Sequence, residues 1–341
     1  MTVFQTCFIL WAALLPARAA DLPLDSAWSA SQALLSRAAR PTGPRIRAAG
    51  PGGCVFDGRF GRPAAPADAA AAWARSRAVS VGETHDQAND HLVQLEALKA
   101  MFAAHGKKTV VGFEMLNMNL QSVLDAYAAG RLSEAEFLEQ ADWKKEWGFP
   151  FPLYKPIFDF IREQGLQAIA LNAPRSLVAR TARLGLDGLS PEEKAILPRN
   201  MQLSSDPRYR AFLKEAFGGH GRQAAYRAFR AEALRDPNLK GMPVVSWEHY
   251  LEAMMIWNEV MADRVAQRLN QDAGSAVLVA AGNGHVMYGA GIPFGISRRA
   301  PGAAQTTVFT EGGPTCPSAL PEGLAGIADY VWVVPHTAAQ P

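Results

Sequence analysis

Apolar and polar positions divide the chain into a leading apolar segment, a stretch without periodicity, and then alternating short apolar runs and amphipathic repeats. Ala78-Val79-Ser80-Val81 is a short apolar run that ends at Gly82 and leads into His85-Asp86, the pattern of a buried strand and its exit turn. Leu92, Leu95, Leu98 and Phe102 recur at three- and four-residue steps, and Gly106 follows His105 as a stop, so residues 87–105 are expected to form a helix. Further strands are expected over 109–113, ending at Glu114, over 166–171, ending at Asn172-Ala173-Pro174, and over 276–280, ahead of Gly282-Asn283-Gly284-His285. Residues 306–309 and 330–334 read as late strands, Ser133-Glu134-Ala135-Glu136 as a capping box that opens a helix, and 247–269 as a long helix. The alternation predicts an α/β fold: a mainly parallel central sheet flanked by helices. From about 175 to 245 only helical patterns occur, marked by Ser190-Pro191-Glu192-Glu193 and Asp206-Pro207, so a helical insertion is expected above the sheet.

The ends of the chain read differently. Residues 3–15 are mostly apolar, Pro16 breaks the run, and Ala17-Arg18-Ala19-Ala20 supplies small residues for cleavage, so residues 1–20 are expected to be a secretory signal. The run is shorter than the roughly 20 residues of a membrane span, and Cys7 lies inside it rather than at its end, which argues against a lipid anchor there. Residues 21–75, rich in Ala, Pro, Gly and Arg, are expected to form an irregular arm apart from a helix near 25–40, ahead of a domain over 76–335 and a polar tail over 336–341. The expected location is periplasmic or secreted. A hydrophobic fraction of 49 % excludes wholesale disorder, and a net charge of +2 gives no electrostatic case for nucleic acid. Cys54 and Cys316 remain after cleavage and can pair in an oxidising compartment if the two chain ends meet. Cys316-Pro317 also matches a thiolate haem-ligand dipeptide, a pattern too short to outweigh chance.

The candidate chemistry sits where the predicted strands end. In open α/β sheets ligands bind in the crevice at the carboxyl ends of the strands. Those ends carry Glu83 and His85, Glu114, Asn172, and Asn283 and His285. Buried carboxylates and imidazoles cost stability unless they are partnered, so a shared polar site explains them better than independent accidents. Glu83, His85 and His285 have the chemistry of a nitrogen/oxygen site for a divalent metal ion, with Glu114 completing a catalytic set for hydrolysis; the same four also suit general acid–base work or a purely structural network. His91 joins them if His85 precedes the first helical turn, whereas His105, His220 and His336 are assigned no part. Trp143, Trp147, Phe149, Phe151 and Tyr154, interrupted by prolines, read as a loop packed on the core or as an apolar wall for a flat ligand. Tyr154, or alternatively Tyr288, would then offer a phenolate to ferric iron.

Taken together, Val81-Gly82-Glu83-Thr84-His85-Asp86 with His91, Gly112-Phe113-Glu114-Met115, Leu171-Asn172-Ala173-Pro174, and Ala281-Gly282-Asn283-Gly284-His285-Val286 with Gly291-Ile292-Pro293 resemble the ChaN-like haem-binding proteins of the Tiki superfamily. The resemblance spans roughly 78–301. It implies a periplasmic or outer-membrane-associated protein of haem or iron uptake that binds haem, at a homodimer interface and through a tyrosine, in partnership with an outer-membrane uptake system. It implies Glu83, His85, Glu114 and His285 as site residues, with Tyr154 first and Tyr288 second as iron ligand and His91, Asn172 and Asn283 around the cofactor. Members are often lipoproteins, a feature for which this sequence has no convincing lipobox. The wider superfamily includes metal-dependent proteases with Gly-x-x-His turns and enzymes that cleave esters, so a metal-dependent hydrolase is the alternative expectation.

Overall fold

A computed structural model describes residues 50–220 and 245–336. The expected signal segment, the first part of the arm with its helix, residues 221–244 of the insertion and the end of the tail lie outside the described residues.

The regular elements are β1 (Cys54–Asp57), β2 (Arg62–Ala64), α1 (Pro66–Arg75), β3 (Ala78–Glu83), α2 (Ala88–His105), β4 (Thr109–Asn117), α3 (Gln121–Ala128), α4 (Glu134–Gln140), α5 (Trp143–Glu146), α6 (Phe151–Gln164), β5 (Gln167–Asn172), α7 (Arg175–Leu184), α8 (Pro191–Ala195), α9 (Pro207–His220), α10 (Trp247–Gln271), β6 (Ala276–Gly282), α11 (Ile292–Arg299), β7 (Gln305–Gly312) and β8 (Tyr330–Val334). They form one eight-stranded sheet in the order β2-β1-β8-β7-β3-β6-β4-β5. From β8 to β5 every pairing is parallel, and β1 and β2 add an antiparallel edge. The central strands β3 and β6 are buried at every position, as expected of a parallel sheet covered on both faces.

Two expected irregular stretches are regular. Within the arm, residues 54–75 supply two strands and a helix; Trp73 of α1 stacks on Trp332 of β8 with ring centroids 5.8 Å apart. Strands of four and three residues and an alanine-rich helix leave too few large apolar positions to show a period. The aromatic segment is mostly helical: Pro150 precedes α6 and Pro152 lies in its first turn, where no helical N–H bond is lost, while Pro156 lies inside the helix, which continues past it without that one bond. Of the insertion, α7, α8 and α9 are described.

At the β5 edge the unpaired backbone is met by side chains. Gln121 donates to the Ala168 carbonyl at 2.9 Å and accepts from the Ala170 amide at 3.0 Å, while Arg264 of α10 donates to the Ala170 carbonyl at 2.6 Å. One amide side chain thus takes the place of a neighbouring strand, a way of protecting a sheet edge from association. Gln121→Leu is expected to lower stability by about 1–3 kcal/mol, the cost of leaving buried backbone groups unpaired. The check is a lower urea midpoint at unchanged slope; an unchanged midpoint contradicts this role for Gln121.

Candidate functional site

The site forms where β3, β6 and β4 lie side by side. Glu83 is the register partner of Gly282, and Phe113, just before Glu114, is the partner of Ala280, so both carboxylates reach the same end of the sheet with β6 between them. Glycine at 282 is required by close approach: a Cβ there would lie 2.7 Å from Cε1 of His85 and 3.6 Å from Glu114 Oε2.

Glu83 is 2 % exposed and carries the first half of the network. Its Oε1 accepts from His85 Nδ1 at 2.8 Å and from the Tyr154 hydroxyl at 3.2 Å; its Oε2 accepts from His91 Nδ1 at 2.8 Å and from Gln94 Nε2 at 2.9 Å. His91 Nε2 faces the His85 carbonyl at 3.2 Å. Both His91 nitrogens therefore meet acceptors, the arrangement of an imidazolium. Burial opposes charge on Glu83, but the His91 charge and the hydrogen bonds from His85 and His91 outweigh it, holding the carboxyl far below its usual range. Burial likewise lowers His91, yet the Glu83 charge and hydrogen bond leave it above its ordinary 6.5. His85 is also raised: the Glu83 hydrogen bond and charge, with the Glu114 charge behind them, overcome its desolvation.

Glu114 carries the second half. Its Oε1 lies 3.2 Å from His285 Nε2, and its Oε2 accepts from the Gly282 amide at 2.6 Å. His285 Nδ1 meets Asn258 Oδ1 at 2.8 Å, and Asn258 Nδ2 donates to the Tyr209 hydroxyl at 2.9 Å. Desolvation raises Glu114, but the His285 charge and hydrogen bond bring it below the usual carboxylate value. Asn172 donates to the Glu114 carbonyl at 2.9 Å, and Asn283 bridges to the Thr310 backbone through bonds of 2.9 and 3.2 Å. These two amides brace the strand ends.

The predicted residues thus converge as two acid–histidine units. They do not form one metal set: among the described residues no group of three or more His, Cys, Asp or Glu side chains is arranged to hold a metal ion. Both nitrogens of His285 are occupied by Asn258 and Glu114, and Glu83 already serves His85, His91 and Gln94. His91, 1 % exposed, is a counter-ion to Glu83 with no lone pair to offer a cofactor. His85 is the open member: a third of its side chain is exposed, beside Trp147 and Phe149 at centroid distances of 4.7 and 5.0 Å.

The two candidate tyrosines differ sharply. Tyr154 is fully buried, and its hydroxyl is spent on Glu83 and the His85 carbonyl. Burial, reinforced by the Glu83 charge, drives its phenol well above 10. Tyr288 is half-buried on the turn after His285, in a left-handed backbone conformation at φ 59°, ψ 11°, with the Arg208 guanidinium 4.7 Å from its ring centroid. Burial raises its phenol above 10 while Arg208 pulls the other way. Helix α9 packs on this turn, and Phe212, Trp247 and Tyr250 share its half-buried apolar cluster.

The sequence matches the family described as "Haem-binding uptake, Tiki superfamily, ChaN" over residues 69–296. This chain belongs to that family. ChaN of Campylobacter jejuni, in a structure of cofacial haem binding, is similar in fold: TM-score 0.60, 17 % identity, covering 83 % of this chain and 96 % of that one. An erythromycin esterase mutant in its open conformation aligns at a TM-score of 0.40 and 15 % identity over 78 % of both chains. Protein RETICULATA-RELATED 5, chloroplastic, of Arabidopsis thaliana is 25 % identical over 279 residues, which is 78 % of this chain. The chain spans 35 % of that relative's length.

The strand ends alone do not point to Asp90, Gln94, Asn258, Tyr209, Thr310 and His336, which partner this ChaN-family network. Asp90 Oδ2 accepts from the Thr84 amide at 2.7 Å and the Thr310 hydroxyl at 2.8 Å, and its Oδ1 from His336 Nε2 at 2.8 Å, so this buried carboxylate fixes the turn between Glu83 and His85. Asn258, a polar residue inside the apolar stripe of α10, was the legible signal.

The pH dependence of stability follows in sign. His85 and His91 lie above 6.5 in the folded state, so their contribution is complete below about pH 6.5 and is lost as pH rises through the raised values. Glu83 and Glu114 lie below 4.5, so theirs is complete above about pH 4.5 and is lost as pH falls through the lowered values. Glu83→Gln is expected to cost about 3–5 kcal/mol, as for a broken buried ion pair, and to flatten the decline above pH 6.5. Equal alkaline declines in urea unfolding of wild type and variant would contradict the Glu83–His91 pairing. Gly282→Ala is expected to displace His85, read as a shifted His85 ring resonance by NMR; an unmoved resonance contradicts the close approach.

Proposed function

We propose that this chain binds ferric haem through Tyr288, in the half-buried aromatic cluster beside the His285 turn. The carrying observation is the Tyr288 backbone: a bulky residue in the left-handed region is strained, and such strain persists where surrounding structure holds it for a purpose. The donor set fits. Tyr288 is a partly accessible oxygen donor with a guanidinium against its ring, and Phe212, Trp247 and Tyr250 supply flat apolar surface. Bound haem would supply ferric iron, a Lewis acid able to take the phenolate oxygen in place of its proton. Arg208 favours that charge; the Ile327 carbonyl, accepting from the Tyr288 amide at 2.5 Å, holds the turn. Tyr154, first choice on sequence, would have to break its bonds to Glu83 and the His85 carbonyl and leave the core. Export, pairing of two copies and delivery to an outer-membrane uptake system belong to the same reading.

Hydrolysis without a metal is the second reading, favoured by His85. With Nδ1 donating to Glu83, the lone pair of the neutral ring is placed on Nε2, where it can take a proton from water. Its raised pKa means that activity would grow with pH.

Hemin titration followed by visible absorption separates the candidates. Wild type and Tyr154→Phe are expected to give a saturable, high-spin, tyrosinate-like ferric spectrum, and Tyr288→Phe to lose it with at least a tenfold weaker affinity, the effect of about 1.4 kcal/mol. The same spectrum in Tyr288→Phe overturns the assignment, and no saturable spectrum in wild type overturns haem binding. Ester or peptide turnover that rises with pH and is lost in His85→Ala would support the second reading instead.

A further inference from the structure

The two cysteines of the described chain come from opposite ends of the sequence and meet. Cys54 opens β1, where its register partner is Val333 of β8. The chain leaving β7 turns back over that residue: the Gly313 amide donates to the Val334 carbonyl at 3.0 Å, and a Cβ at Gly313 would lie 3.0 Å from Val333 Cγ1 and 3.4 Å from the Thr315 carbonyl oxygen. Cys316 follows, and its thiol is in hydrogen-bond contact with that of Cys54. Both are free thiols, Cys54 half-buried and Cys316 exposed.

We propose that Cys54 and Cys316 form a reversible intramolecular disulfide by exchange with a small-molecule disulfide such as oxidised glutathione. The Cys316 thiolate attacks one sulfur of the oxidant, forming a mixed disulfide and releasing one thiolate. Cys54 then gives up its proton, its sulfur displaces the second thiolate, and the internal S–S bond closes. Two protein thiols are oxidised, one small disulfide is reduced to two thiols, and the two protons pass to the leaving thiolates. The order follows from access: Cys316 is exposed, while burial and the neighbouring thiol hold Cys54 up to about 12, so it reacts only once its partner is activated beside it.

The bond would join the first strand to the segment between β7 and β8. That segment is tied to the rest of the fold by the Gly326 amide, which donates to the Gly58 carbonyl at 2.7 Å, and by the Ile327 carbonyl, which holds the Tyr288 turn. Oxidation would therefore restrain the unfolded chain over most of its length and secure the segment that supports Tyr288. The pairing itself does not depend on haem binding.

The test is equilibration of the full chain across a series of reduced and oxidised glutathione mixtures. Free thiols are then alkylated, and the unreduced digest is read by mass spectrometry alongside the melting temperature. A Cys54–Cys316 linked peptide pair in monomeric protein is expected, growing with oxidant, reversed by reductant and accompanied by a higher Tm. In Cys316→Ser, at an exposed position that leaves the fold intact, the link and the Tm shift are both expected to vanish. Cys54 and Cys316 still alkylatable under oxidising conditions, or found only with glutathione, with Cys7 or across two chains, would overturn the proposal. So would a Tm shift that persists in Cys316→Ser.

Discussion

The site depends on the buried carboxylate of Glu83 being balanced in place. An isolated carboxylate at that depth would protonate or pull the strand end apart. Here His85, His91, Gln94 and Tyr154 all converge on it, and the two histidines respond by holding their protons more tightly. Because Glu83 ends the fully buried strand β3 and His91 lies in the first turns of α2, this one charge pair joins sheet to helix and fixes the turn between them. Glu114 repeats the device one strand beyond β6, with His285 as its partner and Asn258 steadying the ring. His85 stands between the two carboxylates and is the member that reaches solvent.

That arrangement explains why polar side chains so costly to bury occupy the strand ends of this ChaN-family protein without forming a shared metal cage. Each carboxylate is already committed to a histidine, and each buried histidine has partners on both nitrogens. The partly exposed rings lie at the margins, His85 with its flanking Trp147 and Phe149 and Tyr288 with Arg208 against its ring, and it is there that the proposed readings place an external ligand. The acid–histidine core is the frame, and the partly exposed His85 and Tyr288 rings are the groups on which the proposed readings rest.

Much of this was legible in the sequence, for a physical reason. Continuous apolar runs located the central strands, because a parallel sheet buried on both faces demands them, and a period near 3.6 located helix α2. Glu83, His85, Glu114 and His285 stood out because each follows such a run. The strands run on where a polar residue or glycine interrupts the apolar run, as at Gly82-Glu83 in β3 and at Glu114 in β4, which continues through Met115 and Leu116 to Asn117. What could not be read was who meets whom. The insertion of β6 between β3 and β4 separates Glu83 from Glu114, and only the folded helix reveals that His91 sits behind His85 rather than beside a ligand. Tyr154 carried the right chemistry but belongs to an amphipathic helix that turns it inward, whereas the Asp90–His336 contact joins residues 246 positions apart.

The central claim is that His91 is a buried imidazolium balancing Glu83, and nitrogen-15 NMR of the histidine rings across pH tests it most directly. The account predicts a His91 titration midpoint above the ordinary 6.5, with both ring nitrogens protonated below that midpoint and the histidine signals assigned by a His91→Gln variant. A His91 ring that loses its proton at or below the ordinary 6.5, leaving one unprotonated nitrogen there, would contradict it.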